Sequence, residues 1–260
     1  MGILNVTPDS FSDGGNYVDQ EKAVAHAKKM VADGADIIDV GGESTRPGAA
    51  AVTLEEELTR VIPIIKRLKE EVEIPISIDT YKAEVARQAV IAGASIINDI
   101  GGAKLDPNMP KVMAESNASI ILMHHKSHTK EGEIQHLHDE IMNELRESIK
   151  LVTDAGVAFH NIIIDPGIGF GKRMEQNTAI LKDIDDYHRL LKCPILLGVS
   201  KKRVVRKLMA SDDLEMLGTG TIATTCYAYT KGIHYIRVHD VKENKVAINV
   251  MKCLMNSADD

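Results

Sequence analysis

Short runs of β-branched and other apolar residues recur along the whole chain, and longer segments with helical periodicity separate them. Each run is too short for a helix, and a parallel strand that is buried on both faces reads as a continuous apolar run. The pattern therefore predicts eight parallel strands, at Ile3–Val6, Asp36–Val40, Pro75–Asp79, Ser95–Asp99, Ser119–Met123, Ile162–Asp165, Pro194–Val199 and Tyr235–Val238.

The segments between these runs place apolar residues three or four positions apart, as amphipathic helices do. Glycines such as Gly34, Gly93 and Gly156 stand just before the next run, where a helix commonly ends. The main predicted helices are Glu21–Ala32, Leu54–Glu71, Lys82–Ala92, Ile134–Ala155, Met174–Leu191 and Thr219–Thr230.

Alternation of strands and helices predicts an α/β fold with a parallel sheet. Eight such units close into a (β/α)8 TIM barrel more naturally than they form an open sheet, although a doubly wound open sheet with extra strands stays an alternative. The length of 260 residues and the hydrophobic content of 44% suit one barrel. Because no linker or shift in composition interrupts the alternation, residues 1–260 are predicted to form a single domain.

Composition and charge exclude several classes of partner. The net charge is −7, aromatic residues make up 3% of the chain, and the dense basic cluster Lys201–Lys207 is too small for a nucleic-acid surface. No apolar run is long enough to span a membrane and no signal-peptide profile is visible, so we expect no membrane partner and a cytoplasmic protein. The cysteines Cys193, Cys226 and Cys253 are widely spaced, which predicts neither disulfides nor a zinc site.

Polar residues gather where the predicted strands end. The carboxyl ends of barrel strands converge on one mouth, where active sites of this fold lie. A capping or turn role would explain any one of these residues alone, but it explains eight together poorly. They are Asn5, Asp39, Asp79, Asn98, His124, Asp165, Ser200 and His239.

Two polar loops follow the first two strands. The segment Asn5–Gly15 contains Asn5, Asp9 and Asp13, whose oxygens suit a hard cation such as Mg²⁺ bound to a phosphate. The segment Asp39–Gly48 carries one cation, Arg46, among glycines and a proline. On composition alone, an ordinary polar turn is the favoured interpretation of the first loop, and in the second loop a glycine-rich turn before a helix is a weak signal for phosphate.

Buried acceptors and a cationic strand indicate two kinds of ligand group. Asp79, Asn98 and Asp165 each follow apolar strand residues, and buried carboxylates of this kind imply a ligand rich in N–H groups. Arg237 and His239 alternate on one strand, so they share a face and indicate an anion site, although an exposed arginine and a core histidine are the structural alternative.

Taken together, six segments resemble the dihydropteroate synthase family. They are Asn5–Gly15, Gly41–Gly48, Ile78–Thr80, Asp165–Gly169, Ser200–Lys202 and Arg237–Asp240. The resemblance implies a transferase of folate biosynthesis that condenses 6-hydroxymethyl-7,8-dihydropterin pyrophosphate with p-aminobenzoate, giving 7,8-dihydropteroate and pyrophosphate. A pterin-binding methyltransferase barrel and a non-catalytic pterin-binding module are the alternatives.

The resemblance also assigns roles to individual residues and implies Mg²⁺ as the cofactor, held by Asn5. Small-molecule substrates are expected, with a homodimer as one option. Arg203 stands where many members of the family have serine. The implied pterin contacts are Asp79, Asn98, Met123, Asp165, Phe170, Gly198 and Lys202; the p-aminobenzoate contacts are Phe11, Thr45, Pro47 and Arg203; the pyrophosphate contacts are Asn5, Arg46, Arg237 and His239; and the catalytic set is Asn5, Asp13, Arg46, Lys202, Arg237 and His239.

Overall fold

The fold is that of a computed structural model, which describes residues 1–7, 16–44, 51–125, 134–211 and 213–255. All eight predicted strands are present, and they are shorter than predicted at several ends. They are β1 (Gly2–Asn5), β2 (Ile38–Gly41), β3 (Ile76–Asp79), β4 (Ile96–Asp99), β5 (Ser119–Met123), β6 (Ile162–Asp165), β7 (Leu196–Leu197) and β8 (Tyr235–Ile236).

The strands form a closed parallel barrel. Strands β1 to β6 pair in chain order, and β7 pairs with β8. Two parallel bridges join these groups, one between Ile164 and Ile195 and the other between Gly2 and Val238. Because the last strand region returns to the first, with Ile3 N donating to the Val238 carbonyl at 3.0 Å, the open-sheet alternative is excluded and the predicted barrel is confirmed.

Helices cover the outside of the barrel, and most of them lie where the periodicity predicted. The predicted helix Met174–Leu191 is wrong as a single element, because the backbone leaves the helical region at Asp183 (φ −109°, ψ 26°) and divides it in two. Both parts keep apolar residues at helical spacing, so the periodicity could not reveal the break. The helices are α1 (Asn16–Ala32), α2 (Leu54–Glu71), α3 (Ala83–Ala92), α4 (Met109–Ser116), α5 (Ile134–Asp154), α6 (Met174–Lys182), α7 (Ile184–Leu191), α8 (Arg203–Leu208), α9 (Leu217–Thr230) and α10 (Val241–Met255).

The barrel has two apolar layers. The larger one lies between strands and helices, whereas a smaller cluster fills the lower interior and consists of Ile37, Ile96, Ile121, Ile163 and Leu196. Since side chains alternate along a strand, the residue two positions further along each of these strands also points inward, one layer closer to the mouth. These next residues are Asp39, Asn98, Met123, Asp165 and Gly198.

This register explains why the polar residues meet. The inward layer changes from isoleucine and leucine to carboxylate, amide and glycine at the level of the strand ends, with Met123 as the apolar exception, so the continuous apolar core stops where the mouth begins. Within the described ranges, no helix combines the length and apolar character needed to cross a membrane.

The last two helices are joined by a buried polar pair. Thr225 Oγ1 on α9 donates to Asn244 Oδ1 on α10 at 2.6 Å, and Asn244 Nδ2 donates to the Asp240 carbonyl at 2.7 Å. Thr225 and Asn244 are both buried. A buried acceptor that loses its donor retains the full penalty of desolvation.

We therefore expect Thr225→Val to lower the free energy of unfolding by about 1–3 kcal/mol, since it leaves Asn244 Oδ1 without its donor. The matched control is Thr224→Val on the same helix, because the Thr224 hydroxyl donates to the Gly220 carbonyl of its own helix. We expect this control to cost less than about 1 kcal/mol. Urea denaturation of both variants measures the difference, and equal losses would contradict the assigned importance of the pair.

Candidate active site

A cleft of about 1150 Å³ opens at the carboxyl ends of the strands. Several predicted site residues line it, whereas Asn98, Met123 and Asp165 are buried in the adjacent barrel wall. Five predicted residues lie outside the described ranges, namely Phe11, Asp13, Thr45, Arg46 and Pro47. The predicted residues that line the cleft are Asn5, Asp79, Phe170, Gly198, Lys202, Arg203, Arg237 and His239.

Arg237 forms the floor of the cleft together with two carboxylates. Its Nε lies 2.6 Å from Asp39 Oδ2, and its Nη2 lies 2.6 Å from Asp79 Oδ2. Asn98 Nδ2 donates to the same Asp39 oxygen at 3.1 Å. Side chains from four strand regions are therefore linked through one guanidinium and one fully buried carboxylate.

The charges on this floor do not cancel. Two carboxylates share one guanidinium, and Oδ1 of both Asp39 and Asp79 has no hydrogen-bond donor among the described residues. Burial raises the pKa of Asp79 and Arg237 opposes that rise. Burial also works against the charge of Arg237, but the neighbouring Asp39 and Asp79 outweigh it and raise the pKa of the guanidinium. The floor consequently contains two carboxylate oxygens whose desolvation no described donor offsets.

The sequence indicates Asp39 only as one of several polar residues at the ends of strands. It does not reveal that Asp39 accepts hydrogen bonds from Arg237 and Asn98. Its register could have indicated that role, because it lies inward two residues after Ile37. Arg237 and His239 both line the cleft, as their alternation predicted. However, Arg237 is already paired with the floor carboxylates, so the residue predicted to bind an anion also contacts a predicted acceptor.

Asp165 is fixed by the turn that follows β6. Its Oδ1 accepts from Gly167 N at 2.7 Å, and its Oδ2 lies 3.8 Å from where a Cβ would stand on Gly198. Burial raises the pKa of Asp165, and Lys202 opposes this rise. The absent side chain at Gly198 therefore leaves open space beside one oxygen of a buried carboxylate.

Lys202 lies at the start of α8 and faces the same turn. Its Nζ donates to the Ile168 carbonyl at 2.8 Å and stands 4.4 Å from the centroid of the Phe170 ring. Burial lowers the pKa of Lys202 to about 8, although Asp165 works in the opposite direction. The preceding Lys201 has φ of 55°, and Thr221 accepts from its N–H, so a left-handed turn sets the direction of Lys202.

His239 is oriented by Ser200. The Ser200 hydroxyl oxygen accepts from His239 N at 3.1 Å and lies 3.0 Å from His239 Nδ1. When the hydroxyl donates to Nδ1, the ring proton of the neutral imidazole is on Nε2. A ring oriented in this way presents an N–H donor of the kind that binds an oxyanion.

Two further groups were missed in the sequence. Lys172, which lines the cleft, donates to backbone carbonyls of the β6–α6 loop. Glu43, at the end of the described part of the second loop, bonds to Lys82 at 2.5 Å, and Lys82 bonds to the buried Glu57 at 2.5 Å. The spacing of Glu43 and Lys82 in the chain gives no signal for this contact, because only the adjacency of β2 and β3 brings them together.

A family model described as pterin binding enzyme matches residues 1–239, so the class that the fold and the site define is a pterin-binding barrel enzyme. The dihydropteroate synthase of Clostridium beijerinckii is 52% identical over 248 residues, covering 95% of this chain and 90% of that protein. That of Bacillus subtilis is 50% identical over 258 residues, covering 98% and 88%. The chain therefore belongs to the dihydropteroate synthase family.

A solved structure agrees with this assignment. Dihydropteroate synthase of Xanthomonas albilineans, determined with 4-aminobenzoic acid, has a TM-score of 0.93 and 40% sequence identity to this chain. The match covers 99% of this chain and 93% of that one. Likeness at this level shows that the two chains share the same barrel fold over nearly their whole length.

Gly167 is a position where only glycine fits. Its φ is +70°, and an added Cβ would lie 2.0 Å from the His124 carbonyl oxygen. Gly232 has nearly the same φ, +68°, but no atom lies within 4 Å of its Cβ position. A side chain would therefore strain the backbone at both positions, but it would clash with a neighbouring atom only at Gly167.

We expect Gly232→Ala to lose about 1–3 kcal/mol of unfolding free energy from the left-handed backbone alone. Gly167→Ala should lose at least about 2 kcal/mol more, because the loop must shift away from His124 as well. Chemical denaturation of the two variants gives both values. Similar losses in the two variants would mean that the close approach to His124 carries no penalty.

Proposed function

We propose that this chain condenses 6-hydroxymethyl-7,8-dihydropterin pyrophosphate with p-aminobenzoate, producing 7,8-dihydropteroate and pyrophosphate. The single observation that carries the proposal is the pair of unsatisfied acceptors, Asp39 Oδ1 and Asp79 Oδ1, at the floor of the cleft that Lys202 also lines, in a family member about 50% identical to dihydropteroate synthases. The enzyme is thus a transferase of folate biosynthesis.

The pterin ring suits the acceptors of the cleft. Its 2-amino group and N3–H form a donor edge for Asp165, and its O4 and N5 accept from Lys202. Asp79 and Asn98 take the N1 and N8 side, which gives the unsatisfied Asp79 oxygen a donor. Phe170 and Gly198 flank the ring, and Met123 supports it from the barrel interior.

The charge of the lining suits anionic substrates. Seven lining residues are cationic and three are acidic, although the whole chain carries a net charge of −7. His239, which Ser200 orients, binds the pyrophosphate together with Arg237 and Asn5. The exposed Arg203 donates to the carboxylate of p-aminobenzoate. Phe11, Thr45, Arg46 and Pro47 complete these contacts by resemblance.

The reaction needs no covalent intermediate with the protein. The aniline nitrogen forms a bond to the exocyclic methylene, the bond from methylene to pyrophosphate oxygen breaks, and the nitrogen loses one proton. Arg237 and His239 stabilise the negative charge that grows on the departing oxygen. Asp79, with Asp13 by resemblance, favours the positive charge that the pterin spreads from the methylene.

Mg²⁺ is the proposed cofactor. Asn5 lines the cleft with its amide oxygen near Gly41, and no group of three His, Cys, Asp or Glu side chains capable of holding a metal occurs in the described part of the chain. One amide ligand fits an ion that takes its other oxygens from pyrophosphate and water. When bound, Mg²⁺ neutralises charge on the pyrophosphate. We further propose a cytoplasmic location and a homodimer.

The two alternative functions differ in what they require. A methyltransferase barrel would use the pterin acceptors without the Arg237 and His239 pair, and a non-catalytic module would bind pterin without turnover. The retained Asp79, Lys202 and Arg237, together with the identity to dihydropteroate synthases, favour the synthase.

A product assay tests the function. Purified protein incubated with the pterin pyrophosphate, p-aminobenzoate and Mg²⁺ should release dihydropteroate and pyrophosphate in equal amounts, detected by chromatography. Chelation of Mg²⁺ should reduce the rate. Binding of pterin with no product under these conditions would support the non-catalytic module instead.

Asp165→Asn should weaken binding of a pterin ligand by at least about tenfold, or roughly 1.4 kcal/mol. The carboxylate accepts from Gly167 on one oxygen and from the pterin on the other, so either orientation of the amide sets an NH₂ group against a donor. Asp165→Glu serves as a charge control in the same calorimetric titration. A loss smaller than tenfold for Asn would remove Asp165 from the donor edge.

A further inference from the structure

The β6–α6 loop has an unusual backbone, and its carbonyls face two ammonium groups. Three of its glycines, Gly167, Gly169 and Gly171, have φ of +70°, +84° and +61°. Alternating left-handed residues turn the carbonyls of Gly167 and Phe170 toward Lys172 and that of Ile168 toward Lys202. We call the carbonyls of Gly167, Phe170 and His124 the carbonyl cup.

Lys172 fills the carbonyl cup. Its Nζ donates to the Gly167 carbonyl at 2.8 Å and to the Phe170 carbonyl at 3.2 Å, and it lies 3.5 Å from the His124 carbonyl. His124 follows β5, so the ammonium group ties the end of one strand to the loop after the next. The same Gly167 supplies the N–H that holds Asp165 Oδ1.

A gain in the stability of the fold from the charge of Lys172 does not explain the carbonyl cup. Burial lowers the pKa of Lys172 to about 7, with Asp165 and Glu144 favouring the charge and Lys202 opposing it. Because the ordinary pKa is 10.5, the unfolded chain binds more protons between these values, so the cost of the buried charge is greatest below about pH 7 and is relieved as the pH rises toward 10.5. The contacts of Lys172 with the loop that holds Asp165 instead point to a role at the site.

We propose that Lys172 is a positioning residue: by filling the carbonyl cup it fixes the β6–α6 loop against β5, and so sets how Asp165 and Phe170 meet the pterin ring. The inference rests on the proposed function, because it takes pterin to be the ligand of the cleft. Lys172 acts through Gly167, whose backbone N–H donates to Asp165 Oδ1 and so orients that carboxylate. It also acts through Phe170, whose ring centroid lies 5.9 Å from that of His125.

The test is calorimetric titration of 6-hydroxymethyl-7,8-dihydropterin into the parent protein and three variants. Lys172→Met keeps the aliphatic stem and removes the donors, whereas Lys172→Arg keeps charge and donors. Lys150→Met removes one exposed lysine whose partner is Asp154 and controls for the change in net charge. Absence of pterin binding by the parent protein would count against the proposed function itself.

We expect Lys172→Met to weaken pterin binding by about tenfold or more, Lys172→Arg to recover it to within about threefold, and Lys150→Met to match the parent. The melting temperature of Lys172→Met should stay within about 4 °C of the parent, because relief of the buried charge offsets the donor that the cup carbonyls lose. Unchanged affinity in Lys172→Met would overturn the proposal, as would an affinity loss that follows a large fall in melting temperature.

The pH profile gives a readout that a purely structural lysine would not move. Parent affinity should fall as pH rises through about 7, where Lys172 loses its proton, and Lys172→Arg should lack that step. His124, Asp165, Lys202 and Glu144 face the cup in both proteins, so the difference between the two profiles isolates Lys172. Identical profiles would contradict positioning by the charged ammonium group.

Discussion

The pairing of Arg237 with Asp39 and Asp79 is the constraint on which the mouth of the barrel depends. A guanidinium and two carboxylates meet at 2.6 Å where the apolar interior ends. Removing one member of a buried pair of this kind costs about 3–5 kcal/mol, because the remaining charge stays buried without a partner. Loss of Arg237 would therefore leave both carboxylates without this charged partner.

The floor holds two carboxylates but only one guanidinium, and this imbalance bears on both the stability of the fold and the proposed ligand. Oδ1 of Asp39 and Oδ1 of Asp79 accept no hydrogen bond from a described donor, so their desolvation is not offset. Elsewhere in the site, Lys202 and Lys172 lie near Asp165, and burial lowers the pKa of both lysines. The pterin that we propose as the ligand carries donors for the first group and acceptors for the second.

Left-handed residues in the loops after β6 and β7 complete the site. After β6, left-handed glycines direct carbonyls toward lysines, and after β7 the left-handed Lys201 starts the helix that carries Lys202. Gly167 shows how little freedom this leaves, because a single added carbon would meet the His124 carbonyl at 2.0 Å. The ligand-facing groups are thus held mainly by backbone geometry.

Much of the fold and many of the site residues could be predicted from the sequence because their signals are local. Apolar runs marked the eight strands, and period-two alternation gave Arg237 and His239 one face. The break at Asp183 stayed hidden because two helices in succession keep the same periodicity as one.

The sequence by itself determined the barrel, the family and the polar residues at the strand ends, because each of these depends on residue types that lie close together in the chain. Only the tertiary structure decided that Asp39 holds Arg237 across 198 positions of the chain, that Lys172 fills the carbonyl cup, and that Glu43 bonds to Lys82. The physical reason is that these contacts depend on which strand ends become neighbours when the barrel closes, and on where glycines turn the backbone.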